Sequence, residues 1–170
     1  YITYLSVCLE YVLRFIIMVK SVTKFFIAIC LVLVATSVEA SPIRHKVRFG
    51  NYDRTYTLYA PGKKLSGPFP VLIALHGGGG TGSSLAGKTG YVALPNQDGI
   101  IVVFPDGLNK RWNDGRTRGN VAGDVDDVGF ISSIIDYVTS SLNGDRSRVY
   151  VVGHSNGSMM TLRLACEIGP

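Results

Sequence analysis

The sequence predicts an α/β fold, a mostly parallel, doubly wound sheet behind an N-terminal antiparallel hairpin, and three observations carry that reading. Two short runs, Val71-Leu72-Ile73-Ala74-Leu75 and Ile100-Ile101-Val102-Val103-Phe104, are apolar at every position. Strands covered on both faces need that composition. Between Val128 and Leu142 the apolar residues instead recur at helical spacing, at Val128, Ile131, Ile134, Ile135, Val138 and Leu142, so strands and helices alternate along the chain. The β-branched run Val149 to Val152 leads directly into Gly153-His154-Ser155-Asn156-Gly157 and then into Met159, Met160, Leu162, Leu164 and Ala165. That order reads as strand, tight turn, helix.

At 170 residues and 46% apolar content the chain has the size of one domain with a substantial core. Its first part is expected to lie outside that domain. The first Met is Met18, followed by Lys20 and Lys24, an apolar run from Phe25 to Ala35, and Val38-Glu39-Ala40. A basic segment, an apolar segment and a small-residue cleavage site make a secretory signal, with the cut expected after Ala40. A membrane anchor would need about 18 to 20 continuous apolar residues, and this run is shorter. Residues Tyr1 to Ile17 are then translated sequence upstream of the start. Cys8 and Cys30 fall in these leading segments, and Ile29 before Cys30 is not the small residue that a lipid-modified cysteine needs. Cys166 remains, as a free buried thiol or, the favoured reading, half of a pair whose partner is outside this chain. The protein is expected to be secreted, with no stable membrane anchor.

The formal charge is +5, and residues 41 to 170 hold 14 Lys and Arg against 10 Asp and Glu. These charges are scattered; Arg44, Lys46 and Arg48 alternate as on the solvent face of a strand. No basic patch with interleaved aromatics is present, which argues against a nucleic-acid partner. Oligomeric state is not readable.

Taken in order, Ile43 to Phe49 and Arg54 to Ala60 alternate apolar with polar around Gly50-Asn51-Tyr52-Asp53, which predicts a β-hairpin. Pro61 to Pro70 is a loop. Ser83 to Gln97 forms a weak helix, opposed by Gly87, Gly90 and Pro95. After the second buried strand, Leu108 to Asp124 is a long polar loop holding Trp112, a possible substrate contact, although a lone Trp in a loop is more often a packed anchor. Asp127 is the expected N-cap of the next helix and Asn143-Gly144 its stop. Asp124, Asp126 and Asp127 lack calcium-loop spacing or clustered His, so capping explains them and no metal is expected.

Ser155 is the candidate nucleophile. In a G-x-S-x-G turn between strand and helix the serine hydroxyl stands exposed above the sheet, and Gly153 and Gly157 allow the two backbones to approach where a Cβ would clash. The pentapeptide alone is a weak signal; its context strengthens it. His76-Gly77-Gly78-Gly79-Gly80 closes a buried strand, and a glycine run there bares backbone N–H groups that can point at a developing oxyanion. His154 adjoins Ser155, but side chains diverge at such a turn, so it is not expected to be the base.

On these motifs, together with Val102-Val103-Phe104-Pro105-Asp106-Gly107, Trp112-Asn113-Asp114-Gly115 and Asp126-Asp127-Val128-Gly129-Phe130, the chain resembles the secreted polyhydroxybutyrate depolymerase-like esterases, relatives of feruloyl and acetylxylan esterases. The resemblance runs from about Arg54 to Glu167. It implies the α/β-hydrolase fold, Ser155 as catalytic serine, oxyanion donors from the Asn156 N–H and the Gly77 to Gly78 region, an ester substrate and no cofactor. Ser158 and Pro95 depart from the family pattern without touching the chemistry. A larger departure is that neither a suitable acid nor any histidine follows Ser155, although the triad order is serine, acid, histidine. The three histidines are His45, His76 and His154. The chain is therefore read as the N-terminal part of a catalytic domain, truncated before its last strands and inactive by itself. The rival readings are a serine peptidase of prolyl-oligopeptidase type and a non-catalytic secreted protein of this fold.

Overall fold

The computed structural model describes Arg14 and residues 16–20, 40–62, 65–116 and 125–169. The chain divides into a unit Tyr1–Ser37 and a unit Val38–Pro170. In the first unit the described residues are helical; the apolar run Phe25 to Ala35 and the proposed leader before Arg14 lie outside the described residues. No helix among the described residues is long and apolar enough to cross a membrane.

The second unit holds a five-stranded sheet in the order β1-β2-β4-β3-β5. Strands β1 (Ile43–Phe49) and β2 (Tyr52–Tyr59) form the expected hairpin, tightened to a two-residue turn at Gly50 and Asn51 because Tyr52 and Asp53 pair with Phe49 and Arg48. Arg44, Lys46 and Arg48 all face solvent, as their alternation predicted. β2 is antiparallel to β4 (Ile101–Pro105), whereas β3 (Phe69–Leu75) is parallel to both β4 and β5 (Gly144–Gly153). β5 begins well before the Val149 that composition marked. Its early residues Asp145, Arg146 and Ser147 are polar, so hydrophobicity alone could not reveal that they are extended.

Alternation along the central strands builds two cores. Val71, Ile73 and Leu75 of β3 and Ile101 and Val103 of β4 face one layer, with helix α3 (Asp127–Ser141) and helix α4 (Asn156–Ile168). Ala74, Val102 and Phe104 face the other, with helix α1 (Gly82–Thr89) and helix α2 (Leu94–Asp98). Each fully buried Val, Ile or Leu contributes about 1.5–3 kcal/mol, and β3 and β4 are buried on both sides as their composition demands. In α4 the buried large apolar residues are Met160 and Leu164, one turn apart, while Leu162 is 61% exposed.

The weak helix expected over Ser83 to Gln97 is divided. Gly90 caps α1 in a left-handed conformation at φ 67, a 3-10 turn spans Tyr91–Ala93, and Pro95 sits in the first turn of α2, where it removes no needed N–H. The N-cap of α3 is corrected from Asp127 to Asp126, whose side chain accepts from the Gly129 N–H. Asp127 has a different task, described below.

Candidate active site

β5 ends at Gly153 and α4 starts at Asn156, so the chain must reverse within two residues. Ser155 takes that reversal at φ 51, ψ −116. A non-glycine residue at positive φ stores roughly 1–3 kcal/mol of strain, and it leaves Ser155 exposed at the end of the sheet. A Cβ on Gly153 would strike the backbone of Gly157 and Ser158, and one on Gly157 would strike the carbonyls of Leu75 and His76. Both flanking glycines are therefore steric requirements of the turn.

The glycine turn after β3 abuts this elbow. A Cβ on Gly77 would lie 3.4 Å from that of Ser155, and one on Gly78 would lie 3.8 Å from that of Asn156. Within the turn the N–H groups divide by use. Gly79 donates to the Lys110 carbonyl at 2.8 Å and Gly80 to the Gly77 carbonyl at 3.0 Å. Those of Gly77 and Gly78 make no backbone hydrogen bond among the described residues, and the Asn156 N–H opens a helix, where the first N–H groups have no intrahelical acceptor. Donors with no backbone acceptor among the described residues thus lie beside an exposed hydroxyl. A cleft of about 640 Å³ opens there, lined by His76 to Gly80, His154, Ser155 and the outer face of α1. A larger hollow, about 810 Å³, lies between α3, α4 and the β5 edge, lined by Ile135, Val149, Val151 and Leu164, and holds none of these groups.

A buried hydrogen-bond network holds the turn. The Gly107 N–H donates to His76 Nε2 at 2.9 Å; because an amide N–H can only donate, Nε2 accepts and the ring proton sits on Nδ1, which donates to the Gly77 carbonyl at 2.8 Å. Burial pushes the His76 imidazole below its ordinary value, against the opposing pull of that Gly77 bond, so the neutral ring is favoured. Trp112 Nε1 donates to the His76 carbonyl at 2.8 Å. The Asn156 carboxamide accepts from the Trp112 N–H at 2.8 Å and donates to the Trp112 carbonyl at 3.1 Å and to Asp114 at 2.7 Å. Hydrogen bonds from Arg116, and more weakly from Asn156, hold the Asp114 carboxyl below its usual range. Below this network Asp127 pairs with Arg54 at 2.6 Å, the two side chains 0% and 1% exposed, and accepts the Asn113 N–H at 2.7 Å. Arg54 also stacks on Phe130, 3.9 Å from its ring centroid.

Trp112 is the site residue whose expected role changes. It is 1% exposed, with its indole N–H donated to the His76 carbonyl, so it packs as an anchor of the loop. Sequence reasoning missed the Asn156 carboxamide, Asp114 and the Arg54–Asp127 pair; the motifs contained these residues, but nothing in their spacing named their partners. Of the histidines, His45 stacks on Tyr56 with centroids 4.6 Å apart, His76 is occupied at both ring nitrogens, and His154 stands exposed beside Gly77. Cys166 is a free thiol, exposed where a buried one was considered. No cluster of metal-ligating side chains occurs among the described residues.

No family model matches the sequence. Individual proteins do. Feruloyl esterase B of Neurospora crassa is 37% identical over 64% of this chain and 37% of its own length, and feruloyl esterase B of Thermothelomyces thermophilus is 30% identical over 79% and 47%. The acetylxylan esterase of Coprinopsis cinerea is 30% identical over 75% of this chain and 35% of its own. The chain thus spans less than half the length of each. Among solved structures, the acetyl xylan esterase of Aspergillus awamori superposes with a TM-score of 0.56 at 27% identity, over 72% of this chain and 46% of that one. An S-formylglutathione hydrolase from Agrobacterium tumefaciens, at 18% identity and covering 79% of this chain and 57% of its own, shares the fold with a TM-score of 0.61. The polyhydroxybutyrate depolymerase side of the resemblance finds no support in these relatives. The chain has the α/β-hydrolase fold and is homologous to the feruloyl and acetylxylan esterases.

Proposed function

We propose that the protein is a secreted carboxylic ester hydrolase working through an acyl-enzyme on Ser155. The observation that carries this reading is the strained, exposed Ser155 set beside the unbonded N–H groups of Gly77 and Gly78 and the first N–H of α4. Ser155 Oγ attacks the ester carbonyl carbon as a base removes its proton, and the carbonyl oxygen becomes an oxyanion that accepts from the Asn156 N–H and the Gly77 to Gly78 region. Collapse breaks the bond to the alcohol, which leaves with the proton from the base; water then releases the acid. The base and its orienting acid are taken to come from sequence beyond residue 170, in keeping with the greater length of the relatives. Substrates in this reading are feruloyl or acetyl esters of polysaccharides, by analogy with the names of those relatives. Release after cleavage behind Ala40 would give a mature protein starting at Ser41, which N-terminal sequencing of the medium checks.

The test is turnover of 4-nitrophenyl acetate and methyl ferulate by the whole gene product and by its Ser155→Ala variant. The expected loss is about 10³-fold or more, since removing a triad member typically costs that much. Retained turnover in Ser155→Ala would sink the acyl-enzyme, and absence of turnover by the whole product would sink the esterase.

A further inference from the structure

Between residues 40 and 169 eight of the eleven described lysines and arginines form an ion pair with an aspartate or glutamate. The exceptions, Lys88, Lys110 and Arg111, have no ion pair among the described residues, and all three surround the glycine turn. Lys88 lines the cleft that holds Ser155. Arg111 lies over Gly78, its Nη1 3.6 Å from where a Cβ would stand. Lys110 follows Asn109 at positive φ, and its carbonyl holds the Gly79 N–H.

Opposing charge is absent from this cleft: no aspartate or glutamate is among its described lining residues. Nearby carboxylates are committed elsewhere, Asp106 to the Gly82 N–H and Thr55, Asp114 to Arg116 and Asn156. Complementarity to the helix dipole accounts for a cation in the last turn of α1. It does not account for Lys88 facing the nucleophile's cleft, nor for a second unpaired cation against the oxyanion turn. An unpaired cation lining the cleft, and a second one against Gly78, which also lines it, raise the local concentration of anions and bind them there.

We propose that the cleft selects esters carrying a carboxylate near the scissile bond, with Lys88 and Arg111 as the residues that recognise it. The inference rests on the ester-hydrolase reading and narrows its substrate class. A carboxylate could belong to the acyl part, as in a dicarboxylic hemiester, or to the alcohol part, as in an acylated uronic acid.

The experiment compares kcat/KM of the whole gene product on 4-nitrophenyl hemiglutarate against 4-nitrophenyl pentanoate for the acyl arm, and on acetylated glucuronic acid against acetylated glucose for the alcohol arm. Two solvent-exposed ion pairs predict a preference for the acid of about 3- to 10-fold in one arm. The preference should shrink in Lys88→Met and Arg111→Gln, reverse in Lys88→Glu, and fade as ionic strength passes roughly 0.1 M, where the Debye length is about 10 Å. Ratios at or below one in both arms, or a preference that neither variant alters, overturn the inference while leaving the esterase standing. Calorimetric titration of the Ser155→Ala protein with monomethyl glutarate and methyl pentanoate separates the two claims. Tighter binding of the acid, weakened in Lys88→Met, supports recognition even if turnover fails; equal binding overturns it.

Discussion

The β1–β2 hairpin and the loop end of the parallel strands are both rich in polar side chains, yet they use them in opposite ways. On the hairpin, Lys46 and Arg48 pair with Asp53 across the turn with all three side chains more than half exposed. At the loop end, His76, Asn156, Asp127 and Arg54 are buried, and each bonds to a backbone group of a glycine or tryptophan loop or to a buried charge. Water competes for the first set and is excluded from the second. Polar residues therefore decorate the hairpin but specify the shape of the candidate active site.

The sharpest way to break this contrast is Asp127→Ala. It strands the Arg54 guanidinium in the interior and removes Asp127 as an acceptor of the Asn113 N–H, and removing one member of a buried pair costs about 3–5 kcal/mol. The urea midpoint should fall accordingly; a loss under about 1 kcal/mol would mean that water reaches Arg54 and that the pair is not structural. Acid should act next, through His76. Its depressed value means that the neutral ring contributes stability fully above its ordinary value of 6.5, and that this contribution is lost as pH falls from 6.5 through the lower folded value. Protonation removes the acceptor for Gly107, so the glycine turn should loosen with it. Histidine NMR titration checks the point: a His76 midpoint at or above 6.5 would contradict the buried neutral ring. The smallest effect belongs to the hairpin. Lys46 and Arg48 lower the Asp53 carboxyl value, but in full contact with solvent, so Asp53→Asn should leave the urea midpoint unchanged within error at 0.15 M salt, roughly the ionic strength of an 8 Å Debye length. A clear destabilisation would show that exposed charge contributes to the fold after all.

Much of this was open to inspection in the chain. The runs Val71 to Leu75 and Ile100 to Phe104 read as interior strands, the second starting one residue later at Ile101, and Gly153 to Gly157, in its strand-then-helix context, reads as a tight turn, because each pattern answers a local constraint of pleat, period or Cβ sterics. Asp127 shows where that legibility stops. Next to Asp126 at a helix start it has the signature of a cap, and only the position of Arg54, far away in sequence, reassigns it. Trp112 is similar: an aromatic in a long polar loop suggests a binding surface until the carbonyl of His76 is found to take its N–H.

By itself, then, the sequence determined the hairpin, the two central strands, the helix after Asp126 and the strand-turn-helix around Ser155, since these depend on residues within a turn or two of one another, while it left open where β5 begins and how the segment Ser83 to Gln97 divides. Tertiary structure alone decided that, among the described residues, the N–H groups of Gly77 and Gly78 have no backbone acceptor while those of Gly79 and Gly80 do, that Asn156 grips the Trp112 loop, and that Lys88, Lys110 and Arg111, without ion pairs among the described residues, lie around the glycine turn. Those outcomes depend on which distant segments the sheet order brings together, and a pattern of local periods carries no record of that.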